Sequence, residues 1–273
     1  MAASASPVVV SGAVPPPPVR PLGQRGMDLL VWGGLLALLL YSFGHVEVSK
    51  LPLLFTNSDS MRQFGRAFLK PDFGQGWLYA RQMWLTVQIA LWGTVIAVVV
   101  AIPFGLACSR NVAPPWLQQP MRVLMNVLRS VPDLVIGTVF VVAVGLGPFA
   151  GVMALALNTG GVLAKLFSEA VESIDPRPVE GVRATGGARM HEIVWGVLPQ
   201  VAPLWTSYAL YRFESNSRSA TVLGLIGAGG IGQLLFESIG AFAYGQTAAI
   251  AIVIVIAVTA IDALSQALRS RLL

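Results

Sequence analysis

Charge is what this sequence has least of. Asp, Glu, Lys and Arg make up 11% of its 273 residues, against about 25% in a soluble domain. Too few ionisable side chains remain to coat a water-exposed surface. With 55% hydrophobic residues and a mean hydropathy of +0.70, the chain reads as an integral membrane protein. The single cysteine, Cys108, excludes an internal disulfide and a cysteine metal cluster. Its place at the end of an apolar run suits a small buried hydrophobe. His45 and His191, the two histidines, stand far apart and in no ligand-like spacing. Lys and Arg never form a run that could track phosphates, so the net charge of +5 does not point to nucleic acid. It fits loops on the inner side of a membrane instead. A phosphate-binding loop with Lys and Ser/Thr is missing, and so is a G-x-S-x-G nucleophile motif. The chain is therefore not expected to be an enzyme or to hold a cofactor or metal of its own.

What is present is a series of apolar windows. Residues 1–26, rich in Ala, Ser and Pro with four prolines at 15–18, suggest a flexible N-terminal tail. No apolar core precedes Arg20, so the tail is not expected to be a secretory signal. A membrane-crossing helix takes about 20 apolar residues, so charge-free windows measure the spans. They place a first transmembrane helix at 27–46, an insert on the outer or interfacial side at 47–81, and a core of five further helices within 82–273. The window 134–164 is too long for one span and is divided by Gly145, Gly147 and Pro148, which gives helices at 122–146 and 149–171. The last two spans fall at 193–211 and 238–261, after a cytoplasmic loop at 172–199. The window 219–237 is ambiguous, but five glycines within 224–232 each cost a helix up to about 1 kcal/mol. Six spans with both termini inside also place Arg20, Arg25, Arg110, Arg122, Arg177, Arg183, Arg189, Arg269 and Arg271 on the cytoplasmic side. The expected fold is thus all-α, with about six transmembrane helices. Lys50, Arg62, Arg66, Lys70 and Arg81 run against the charge bias, and the insert that carries them is expected to lie partly along the membrane surface.

The stretch 224–233, GLIGAGGIGQ, spells G-x-G-x-x-G at Gly227, Gly229 and Gly232. A dinucleotide loop also needs a preceding strand, a βαβ unit and an acidic residue about 20 positions on. The residues around Val253 are unbroken apolar, so the spelling is a coincidence. Glycines at that depth suit close backbone packing or an irregular turn buried in protein.

The segment 180–199 resembles the cytoplasmic loop of ABC-importer permeases, E-A-A-x3-G-x9-I-x-L-P. Glu180, Gly186, Leu198 and Pro199 match at the right spacing, while Gly181 and Val182 replace the alanines and Gly196 the isoleucine. A short helix over 178–184, ended by Gly186 and Gly187, would make a knob for a partner's groove. The plain alternative is an ordinary polar loop. The segments NVLRSVPD (126–133), GLGPFAG (145–151) and YRFESNSR (211–218) are similar to the phosphonate-import permeases, a branch that includes phosphite importers. Methionine importers share the Gly-Ala-Gly-Gly-x-Gly element, which by itself selects no substrate.

The resemblance implies a type I importer architecture in the bacterial inner membrane and import of a phosphonate, phosphite or related oxyanion by alternating access. It also implies partners: a second copy of the chain, two cytoplasmic ATPase subunits that use the ATP and Mg²⁺, and a periplasmic or lipid-anchored substrate-binding protein. Contact with the ATPase would fall to Glu180, Arg183, Ala184, Thr185, Gly186, Leu198 and Pro199. Gly227, Gly229, Gly230 and Gly232 would form a re-entrant or packed turn beside the outer gate, near the dimer axis. A methionine-type permease and an ion-coupled secondary transporter remain as alternatives.

Charges inside the membrane are costly and often functional. Arg129 and Asp133 stand at i,i+4 in the third span. Glu214 and Arg218 do so at the outer end of the fifth, with Asn216 between them. Either Arg129, Arg218 and Asn216 face a central passage for an oxyanion, or each pair is an internal salt bridge. Lys165 and Glu169 form a third i,i+4 pair, expected to brace a helix.

Overall fold

The computed structural model describes residues 22–50, 52–53 and 58–271. Most of the expected tail, residues 1–21, lies outside the described residues. Among the described residues the chain is helical with no strand, and it divides into two compact units, 1–62 and 63–273.

In the first unit, α1 (Leu22–His45) begins inside the expected tail. Its window Gly26–His45 has a mean hydropathy of 1.6 and no buried residue. A helix that is apolar all round and of this length has the composition of a lipid-facing span. A single turn at Val48–Lys50 follows, and then α2 (Ser58–Phe68), a polar helix that runs across the unit boundary.

The second unit is built from α3 (Gly76–Cys108), α4 (Pro115–Ser130), α5 (Asp133–Val144), α6 (Pro148–Glu172), α7 (Pro176–Ala184), α8 (Leu198–Leu223), α9 (Ile231–Gly240) and α10 (Tyr244–Arg269). The turn Arg189–His191 and a wide π-type turn, Glu192–Val197, lead into α8. The helices α1, α3, α6 and α10 are each long and apolar enough to cross a membrane. Two bent pairs, α4 with α5 and the run Arg189–Ile226 with α9, bring the number among the described residues to as many as six if each pair is one span.

Three boundaries differ from those expected. The helix expected at 122–146 is two helices bent by 89°, because Pro132 cannot donate to the helix ladder and forces Val131 into extended conformation (φ −83°, ψ 126°). The fifth span does not end near 211 but continues to Leu223, so Glu214, Asn216 and Arg218 lie within the helix rather than at its outer end. Residues 76–81, assigned to the insert, belong to α3.

Packing in the second unit rests on small residues. Along α3, Ala90, Gly93, Ala97, Ala101, Gly105 and Cys108 recur every three or four positions and are buried. A Cβ on Gly93 would stand 2.7 Å from the Cβ of Leu155, and one on Gly105 2.8 Å from that of Phe167. The two helices α3 and α6 therefore meet at backbone distance. Such contact replaces the hydrophobic drive that lipid removes. Phe167 stacks on Trp205 at 4.5 Å, and the Trp205 indole donates to the Phe167 carbonyl at 3.3 Å, which ties α8 to the same core. Cys108 is part of this apolar packing.

Candidate functional site

The loop end of the second unit carries a knob built around α7. Asp175 caps it by accepting from the Arg177 amide at 3.0 Å, and Pro176 opens the first turn. At the other end Gly186 takes φ +81° while the Gly187 amide donates to the Val182 carbonyl at 3.3 Å. That is the left-handed glycine stop expected there. Val179 and Val182 point inward, whereas Glu180, Gly181, Arg183, Ala184 and Thr185 are exposed.

Gly196, in place of the pattern's isoleucine, has a structural reason. A Cβ there would lie 2.9 Å from the Cα of Val179, so glycine lets α7 rest on the turn that leads into α8. Arg183 is not free. It forms a two-pronged bond to Glu192 at 2.8 and 3.0 Å, which raises its guanidinium further above its ordinary range. Gln200 bonds both backbone groups of Asp175 at 3.1 and 3.2 Å, which ties the start of α8 to the start of α7. Leu198 is half-buried and Pro199 exposed at that junction. Nearby, Arg122 pairs with Glu172 and donates to the Cys108 carbonyl, which latches α3, α4 and α6 together. Glu192 and Gln200 carry no pattern in the sequence that announces their bonds.

A polar seam crosses the middle of the helices. Thr94 and Thr159 sit near the midpoints of α3 and α6, and Asn216 lies in the second half of α8. Arg212 donates to Thr159 at 3.2 Å, Thr159 to the Asn216 side-chain carbonyl at 2.9 Å, and the Asn216 amide to Thr94 at 2.9 Å. Thr94 completes the chain on the Ala90 carbonyl at 2.7 Å. Asn216, expected to face an open passage, has no accessible surface and instead joins three helices. Arg212, Thr94 and Thr159 were not among the expected site residues. The signal for Arg212 was its spacing: Arg212, Asn216 and Ser219 share one face of α8.

The expected charge pairs divide. Glu214 and Arg218 do pair at 3.1 Å, and so do Lys165 and Glu169. Arg129 and Asp133 do not, because the break at Pro132 carries Asp133 onto a new helix. There Asp133 accepts from Ser219 at 2.8 Å, while Arg129 is exposed at the end of α4. The Glu214 pair is part of a larger network across α8 and α10. Arg218 also binds Asp262 at 2.9 and 3.0 Å, and Arg269 binds Glu214 at 2.7 Å while lying over the Tyr211 ring. Two cations and two anions balance. Asp133, Arg218 and Ser219 line a cleft of about 340 Å³ with Pro132, Leu134, Val222 and Leu223.

At the far end of α8 the glycine stretch forms a packed turn. Gly227, Gly229 and Gly230 have φ of +88°, +79° and +78°, values that L side chains rarely adopt. A Cβ at Gly232 would overlap the Thr221 carbonyl. The Gly147 amide donates to the Gly227 carbonyl at 3.0 Å, and the Ile231 amide donates to the Thr86 hydroxyl at 2.9 Å. The turn is thus fastened to the α5–α6 connection and to α3. It is entered from a helix and not from a strand. Among the described residues no group of three or more His, Cys, Asp or Glu could hold a metal.

Residues 101–273 match the family model described as "Binding-protein-dependent transport system inner membrane component". The chain is 39% identical to the phosphite transport system permease protein PtxC of Stutzerimonas stutzeri, over 90% of this chain and 88% of that protein. It is 47% identical to the phosphate-import permease protein PhnE of Mycolicibacterium smegmatis over 68% of this chain, though only 35% of that longer protein. Among solved structures, the inward-facing MetNI methionine ABC transporter matches with a TM-score of 0.64 at 21% identity, over 74% of this chain and 99% of that one. At that identity the likeness concerns the fold alone.

Proposed function

The chain belongs to the binding-protein-dependent transport system inner membrane components, and on that premise we propose that it moves a phosphorus oxyanion into the cytoplasm at the expense of ATP hydrolysed elsewhere. As a multi-pass ABC-importer permease, it supplies the membrane passage. The 39% identity to a phosphite permease across nine-tenths of the chain carries the cargo class. In this reading the α7 knob seats in a cytoplasmic ATPase subunit, which binds the ATP and Mg²⁺, with both chain termini on that side. A second copy of the chain completes the passage, and two ATPase subunits sit beneath the pair. A periplasmic or lipid-anchored binding protein delivers the anion. The glycine turn lies beside the outer gate near the axis between the copies, and alternating access opens one side at a time. Arg218, Asp133 and the cleft between α5 and α8 border the route, while exposed Arg129 stands at its edge.

The test is ATP hydrolysis by the assembled complex in lipid nanodiscs. Binding protein loaded with phosphite or methylphosphonate is expected to raise hydrolysis above the unloaded level. Stimulation by methionine-loaded binding protein alone would place the chain with the methionine importers instead.

A further inference from the structure

Beside the balanced network, Arg212 is a partly buried cation of α8 without a contacting anion. Arg218 and Arg269 are matched by Glu214 and Asp262. Arg212 is not: among the described residues no carboxylate lies within ion-pair distance of it. Asp133 acts on it only through space and is itself engaged by Ser219. A guanidinium has five N–H donors, and Arg212 spends one Nη2 bond on Thr159 while its Nε is buried without a partner. The residue as a whole is half-buried and not fully enclosed.

The position makes this costly. Arg212 lies near the midpoint of α8, level with the seam of Thr159, Asn216 and Thr94. An arginine at mid-bilayer costs roughly 2.5–3.5 kcal/mol on insertion scales, and a buried donor without an acceptor adds to that cost. The seam does not need the charge, because Thr159, Asn216 and Thr94 close their own bonds. The neighbouring cations offer a passing anion no net attraction, since their carboxylates already neutralise them.

We propose that Arg212 is the substrate-contacting cation of the passage, engaging the phosphorus oxyanion through its unspent N–H groups at the level of the seam. The planar fork of donors matches two oxygens of a tetrahedral oxyanion. A single unpaired guanidinium gives weak binding, which suits a site that must release what it holds. Arg129, exposed at the end of α4, and Arg218, neutralised twice over, are not the primary contact. The inference rests on the phosphorus-oxyanion reading above.

The experiment measures ATP-driven phosphite uptake by proteoliposomes containing the full complex with its binding protein, for wild type, Arg212→Gln and Arg212→Lys. Arg212→Gln is expected to lower uptake about tenfold or more, the scale of one lost charge-assisted hydrogen bond. Hydrolysis stimulated by docked binding protein should persist. Arg212→Lys, which keeps the charge but not the planar fork, should retain a measurable part of the uptake that Arg212→Gln loses. Wild-type uptake by Arg212→Gln overturns the inference. Equal loss in Arg212→Gln and Arg212→Lys also overturns it, in favour of packing. A wild-type complex that carries neither phosphite nor any phosphonate refutes the oxyanion reading itself, an outcome separable from both.

Discussion

Gly181 and Gly232 are both glycines of the functional segments, yet their surroundings predict opposite outcomes on substitution. Nothing lies within 4 Å of a Cβ built on Gly181, an exposed residue inside α7. Gly181→Ala should therefore raise stability by up to about 1 kcal/mol, the helix propensity gained, with coupling intact. Gly232→Ala drives a methyl group into the Thr221 carbonyl, and the thermal midpoint of the detergent-solubilised protein should fall sharply. Equal behaviour of the two variants would contradict the assignment of the glycine turn as packed. Asn216→Leu offers a second check. It leaves the Thr94 and Thr159 hydroxyls without their partner in the middle of the bundle, a loss of about 1–3 kcal/mol. An unchanged midpoint would mean the seam does not hold α3, α6 and α8 together.

Helix positions were legible in the sequence because a span must be apolar over its whole length, and charge-free windows measure that directly. The bend between α4 and α5 was not, since a straight helix and a broken one have the same composition. Pro132 marked the place without giving the 89° angle. Pair spacing worked where the helix continues, as for Glu214 with Arg218, and failed where it breaks, as for Arg129 with Asp133. Asp262 and Arg269 were out of reach because their partners lie 44 and 55 residues away along the chain. In α7 the pattern residues Glu180 and Gly186 were legible. The bonds that fix the knob, Arg183 to Glu192 and Gln200 to Asp175, belong to tertiary contact. Gln200→Ala should uncouple α7 from α8. The expected result is lower uptake per ATP hydrolysed with the ATPase still bound, measured as the ratio of the two rates in one preparation. An unaltered ratio would remove Gln200 from the coupling path.

At the largest scale, α8 links the segments of the second unit that the proposed transport route uses. It starts at the knob through Gln200, stacks Trp205 on Phe167, and carries Arg212 and Asn216 through the seam. It then meets the break at Asp133 through Ser219 and ends in the glycine turn. Its 26 residues span about 39 Å, enough to connect the two faces of a bilayer. The central claim is that the chain is the passage of an ATP-driven importer for a phosphorus oxyanion, and substrate movement tests it most directly. Proteoliposomes holding the chain, its ATPase and its binding protein are supplied with ATP inside, and radiolabelled phosphite or phosphonate is offered outside. Accumulation that requires ATP and stops in complexes whose ATPase cannot hydrolyse it is the predicted result. Accumulation driven by an ion gradient without ATP, or uptake of methionine with no phosphorus oxyanion carried, would contradict it.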